Sequence, residues 1–104
     1  MDIVTLIGAI NSRPEMFLSK RSINDLDTFL RGYIYYRKSH EIEEDENDRT
    51  LEDFKCHWLP EKLGHPGTTM WIQKLLDASQ NQEEAFEKFF LYWQEYLSEL
   101  TLIE

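Results

Sequence analysis

An all-α fold follows from three properties of this 104-residue sequence. Apolar residues recur at helical spacing in several separate stretches. Cap-forming residues precede most of those stretches, and no segment sustains the period-2 alternation of a half-buried strand. The length suits one domain with one core, and a composition 41% hydrophobic and 13% aromatic supplies that core. The expected architecture is a single helical domain over 1–104, a compact bundle of four to five helices. An acidic loop over about 40–53 is expected between the second helix and a short middle segment.

The first helix is expected over residues 2 to 11, where Ile3, Leu6, Ile7 and Ile10 share a face and Asp2 caps the first turn. Pro14 ends it, because the residue before a proline is pushed out of the helical region. Met16, Phe17 and Leu18 in the connector are expected to pack on the core. Ser22 opens a longer helix with Asp25 in a capping-box variant, and Ile23, Leu26, Leu30, Tyr33, Ile34 and Arg37 continue one stripe. Gly32 within that helix costs about 1 kcal/mol relative to Ala, which points to close approach of another segment. Tyr33, Tyr35 and Tyr36 cannot all face the core, because neighbours stand about 100° apart around the axis, so at least one is exposed.

Beyond the acidic run, Leu51, Phe54, Trp58, Leu59 and Leu63 form a short amphipathic piece that Pro60 is expected to break. Gly64-His65-Pro66-Gly67 is a turn cluster, and Thr68 or Thr69 then caps a helix carrying Trp71, Ile72, Leu75 and Leu76. The last helix begins after Asn81, with Glu84 completing a capping-box pattern. Ala85, Phe86, Phe89, Phe90, Trp93, Tyr96, Leu97 and Leu100 give it a broad apolar face.

Charge is the most uneven property of the chain. Residues 41–53 hold eight acids and one arginine, a local net charge of -7 (one minus eight) against -9 for the whole chain. Such a run repels itself and projects a strong field, whose natural use is to meet a basic partner. The same balance argues against binding nucleic acid through phosphates, which needs clustered Lys and Arg, and against an anionic membrane surface. The apolar N-terminus lacks the basic start of a signal peptide, and no stretch approaches the ~20 apolar residues of a membrane span. With Cys56 the single cysteine, an intrachain disulfide is excluded and a reducing, cytoplasmic setting is expected.

Catalytic chemistry is thinly represented. Cys56, His40, His57 and His65 show no metal-ligand spacing, and no third group is in place to orient a Cys–His nucleophile. Cys56 is expected to be buried or half-buried, and the histidines to lie on the surface or in loops. The acids of 43–48 lack the glycine and the spaced oxygen ligands of a calcium loop, and no phosphate-binding glycine loop is present. No enzymatic activity, cofactor or metal is expected. Phe86, Phe89, Phe90 and Trp93 are core residues by spacing, whereas Tyr35, Tyr36 and Tyr92 fall off the main stripes and suit an interface.

Two blocks carry a resemblance. Arg13-Pro14-Glu15-Met16-Phe17-Leu18, followed by Ser22-Ile23-Asn24-Asp25-Leu26-Asp27-Thr28-Phe29-Leu30-Arg31-Gly32-Tyr33, resembles a pattern of small bacterial immunity proteins of contact-dependent inhibition and polymorphic toxin systems. Trp71-Ile72 and Glu84-Ala85-Phe86-Glu87-Lys88-Phe89-Phe90-Leu91 resemble the second half of the same group. Where that family has a glycine after the first block, this chain has Ser19. The resemblance implies an antitoxin that binds and neutralises a cognate toxin C-terminal domain; it implies no catalytic residue and transfers no contact residue.

The partner surface is therefore read from charge. Glu41, Glu43, Glu44, Asp45, Glu46 and Asp48 are expected to supply the field and ion pairs to a basic toxin domain, such as a nuclease. Tyr35, Tyr36 and Trp58 are expected to supply apolar anchors beside them. The alternative is a non-catalytic helical adaptor that binds a basic protein segment. A homodimer is left open by the abundance of Tyr and Phe.

Overall fold

Asp2 opens the first helix by accepting the Thr5 amide at 2.8 Å, satisfying one of the free donors of a helix start. The structure, a computed structural model, describes residues 2–40, 42, 46–64 and 70–103. Every regular element among them is helical: α1 (Ile3–Ser12), a 3₁₀ turn (Pro14–Met16), α2 (Ile23–Ser39), α3 (Glu46–Asp53), a π turn (Phe54–Trp58), α4 (Leu59–Lys62), α5 (Trp71–Asp77) and α6 (Gln82–Ile103). The all-α bundle is thus the observed fold. Helix α1 packs on α3, α2 on α6, and α5 on both α4 and α6.

The caps read at Asp2, Ser22 and Asn81 are made. Ser22 Oγ accepts the Asp25 amide at 3.0 Å, and Asn81 Oδ1 accepts the Glu84 amide at 2.8 Å. The Glu84 carboxylate reaches back to the Gln80 amide at 3.0 Å. This bond, with help from Lys88, holds its pKa below the ordinary glutamate range. The two helix starts are also tied together, because the Asn24 amide donates to Gln82 Oε1 at 3.1 Å.

The core lies where α6 meets the other helices. Ile3, Ile7, Ile10, Ile23, Leu26, Leu51, Phe54, Leu59, Leu75 and Phe89 are fully or almost fully buried. Phe54 is the hub of an aromatic cluster, with ring centroids 5.1 Å from Trp93, 5.4 Å from Tyr96, 5.5 Å from Phe89 and 5.7 Å from Trp58. Edge-to-face geometry at Phe89 and Trp93 sets positive ring edges against negative faces. The four residues Phe86, Phe89, Phe90 and Trp93 are buried, as their spacing predicts.

Several expectations need correction. The acidic run is not a loop throughout: its second half is α3, which buries Leu51 and is held to α2 by an Arg37–Asp48 ion pair. Pro60 does not break the segment. Residues 46–62 run on helically, with a π turn placed just before the proline, where the Leu59 amide bonds to the Phe54 carbonyl five residues back. A proline in an α-helix clashes with the carbonyl four residues earlier, here that of Cys56, and the wider turn opens that space.

The remaining differences are smaller. Gly32 is exposed, and a Cβ there would meet nothing within 4 Å, so no close approach explains it. Met16 is exposed although Leu18 is buried and Phe17 packs edge-on against Phe29 at 5.8 Å. Phe17 closes the 3₁₀ turn by donating its amide to the carbonyl of buried Pro14 at 3.0 Å. Leu100 lies at the exposed end of the α6 face. Gly64 adopts φ +74° and closes α4 in the left-handed conformation that glycine alone enters freely. Residues 65–67 of the turn cluster, Thr68 and Thr69 lie outside the described residues, and neither threonine is the cap of α5, which starts at Trp71 with Met70 as its N-cap and no side-chain cap bond.

Candidate functional site

Helices α2 and α3 are joined by an ion pair. Arg37 Nη1 lies 2.6 Å from Asp48 Oδ1, and the two side chains retain only 11% and 17% exposure. The guanidinium also sits over the Tyr33 ring, 5.9 Å from its centroid. A well-shielded, charge-assisted contact of this length fixes the register of α3 against α2 far better than a surface pair would. Glu46 and Asp48 fall in the first turn of α3, where carboxylates favour the positive end of the helix dipole.

The α3 acids are mostly engaged within the fold. Asp48 is bound by Arg37, while Asp53 Oδ2 accepts the Tyr96 hydroxyl at 2.8 Å. Glu52 accepts the Cys56 thiol at 3.2 Å and lies 3.7 Å from Lys55 Nζ. Glu46 is exposed. Of the expected contact residues, Glu41, Glu43, Glu44 and Asp45 lie outside the described residues.

The expected anchors do not form one patch. Tyr35 and Tyr36 are 74% and 54% exposed, and Tyr36 lies against His40 with ring centroids 4.1 Å apart. Successive residues turn by about 100°, so Tyr36 faces almost away from the side of α2 that carries Ile34 and Lys38, while Tyr35 flanks Lys38. Trp58 belongs elsewhere. It follows Asp48 by ten positions, about 15 Å along a helix. Its indole N–H donates to Glu99 at 2.8 Å, Lys62 lies 5.7 Å from its ring centroid, and its ring packs on Phe54, Tyr92 and Tyr96. Trp58 and Tyr92 therefore work first as half-buried members of the core, and of the expected contact residues Tyr35, Tyr36 and Glu46 are the exposed ones among those described.

Sequence reading missed a groove at this surface. A cavity of roughly 230 Å³ opens between the C-terminal half of α2 and α3, walled by Ile34, Arg37, Lys38, Ile42, Asp48, Leu51 and Glu52. Ile42 is 45% exposed at its rim, and its amide donates to the Arg37 carbonyl at 2.9 Å. The one available signal was an isolated isoleucine within the acidic run.

Cys56 is exposed rather than buried, and partial desolvation together with the Glu52 carboxylate raises its pKa, which disfavours the thiolate. Among the described residues no group of three His, Cys, Asp or Glu side chains is placed to hold a metal ion. No helix among them is long and apolar enough to cross a membrane. Compared with protein-family models, curated proteins and solved structures, the chain matches none.

Proposed function

We propose that this chain is an immunity protein, an acidic helical inhibitor that binds the C-terminal domain of a cognate bacterial toxin in the cytoplasm of the producing cell. The observation that carries the reading is the acidic run that follows α2 in the sequence and whose described second half is α3. A run of net charge -7 ends in a helix held to α2 by the Arg37–Asp48 pair at 2.6 Å, and α2 carries the exposed Tyr35.

The physics favours a basic partner. A nuclease must hold phosphates in a cleft lined with Lys and Arg, and an acidic protein complements that cleft. Charge complementarity of this kind raises association rates to as much as ~10⁸–10⁹ M⁻¹s⁻¹ at low salt, which suits an inhibitor that must capture a toxin before it acts. A few desolvated anchors then set the dissociation rate. Inhibition follows from covering the toxin's active-site region, without chemistry on the inhibitor.

The test is genetic and biochemical. The C-terminal domain encoded by the gene directly upstream is expressed with and without this chain. The reading predicts growth arrest by the domain alone, rescue by co-expression, and a co-purifying one-to-one complex. Failure of both rescue and co-purification with that domain contradicts it.

A further inference from the structure

The groove between α2 and α3 has dimensions and walls that suit a protein side chain. At roughly 230 Å³ it falls below the ~300–1,000 Å³ of sites that enclose small molecules. Ile34, Ile42 and Leu51 provide apolar wall, and Leu51 is fully buried beneath it. Arg37 and Asp48 are paired with each other in the wall, while Lys38 and Glu52 also line the groove, and the Glu52 side chain stays 64% exposed despite its contacts with Cys56 and Lys55. Ile42 stands in sequence between Glu41 and Glu43, so any segment that reaches the isoleucine enters a strongly negative field.

We infer that this groove docks a basic amphipathic segment of the partner protein. One aliphatic side chain of that segment sits between Ile34 and Ile42 above Leu51, and a lysine or arginine beside it faces Glu52. The inference rests on the immunity reading for the partner's basic character, and it adds the contact that charge alone leaves unspecified. Long-range charge brings the partner close but does not fix its register. Insertion of one apolar side chain into a walled groove does, and exclusion of water there slows dissociation.

The probe is a synthetic peptide of about 14 residues with leucines spaced four apart among lysines. Two companions accompany it, one with serine for each leucine and one with glutamate for each lysine. Amide shift maps of the isotope-labelled full chain locate each peptide, and titration gives its affinity. The inference predicts that the leucine–lysine peptide perturbs Ile34, Lys38 and Ile42. Serine for leucine, or Ile42→Ser in the chain, should weaken binding about tenfold, consistent with loss of one buried aliphatic contact. Ile42 is exposed at the rim, so the variant should keep its helical circular dichroism; Ile34→Ala serves as the second variant.

Equal binding of the serine peptide, or shifts that map away from these residues, overturns the groove while leaving the acidic-field reading intact. Equal binding of the glutamate peptide overturns the basic occupant. Groove binding by the leucine–lysine peptide together with failed rescue in co-expression supports the docking site and rejects the immunity reading alone.

Discussion

Tyr96 shows how single side chains link the core to the charged surface. Its ring is buried in the aromatic cluster while its hydroxyl donates to Asp53 at 2.8 Å, so one residue ties α6 to the end of α3. Burial and the neighbouring carboxylate raise its pKa well above that of a free tyrosine. The folded state therefore favours the neutral phenol. That contribution to stability is complete below pH ~10 and is lost as pH rises further. Tyr96→Phe should cost about 1 kcal/mol in urea unfolding at neutral pH and flatten the alkaline loss of stability.

At the other pH extreme, hydrogen bonds from the Thr5 and Gln80 amides hold Asp2 and Glu84 below the usual carboxylate range. Their contribution is present above that range and fades as pH falls through it. Asn81→Ala removes the cap itself and should cost about 1 kcal/mol, measured by the urea midpoint. These caps were fully legible in the sequence, because a cap is a local pattern. The exposure of Cys56 follows only once the segment is known to be helical, because about 100° per residue then sets it opposite the buried Leu51 and Phe54.

The segment 46–62 is the element where sequence reading fell shortest. Eight acids in thirteen residues speak for a solvated loop, and nothing local reveals that Asp48 meets Arg37 or that Leu51 drops into the core. Those contacts join different elements, and they convert the second half of the run into a helix. The amphipathic spacing of Leu51, Phe54 and Leu59 was visible in the sequence, yet Pro60 argued against continuity. Its π turn is a tertiary accommodation that no propensity encodes. Phe54 anchors the whole piece through four aromatic neighbours. Phe54→Ala should cost about 3–5 kcal/mol, a large share of the ~5–15 kcal/mol that holds a typical domain, and should lower the thermal midpoint accordingly.

Over the molecule as a whole, electrostatics is governed by a net charge of -9, of which the run over 41–53 carries -7. Folding concentrates that charge, so self-repulsion opposes the compact state, and salt relieves it. The chain should accordingly melt a few degrees higher in physiological salt than at low ionic strength; an unchanged or lower midpoint would mean that repulsion is already offset by internal pairs such as Arg37–Asp48. The bundle itself was legible from helical periodicity. The expected anchor set was only partly legible: charge and exposure single out Glu46 and Tyr35, whereas Trp58 carries the same chemical signature and is spent on Glu99 and the core.

The most direct test of the account is the association rate with the toxin domain across ionic strength, compared with a variant in which Glu43, Glu44, Asp45 and Glu46 become amides. The account predicts a wild-type rate that falls steeply as salt rises, and a variant that associates more slowly at low salt with a nearly flat dependence. Equal rates and equal salt slopes for the two proteins would contradict it.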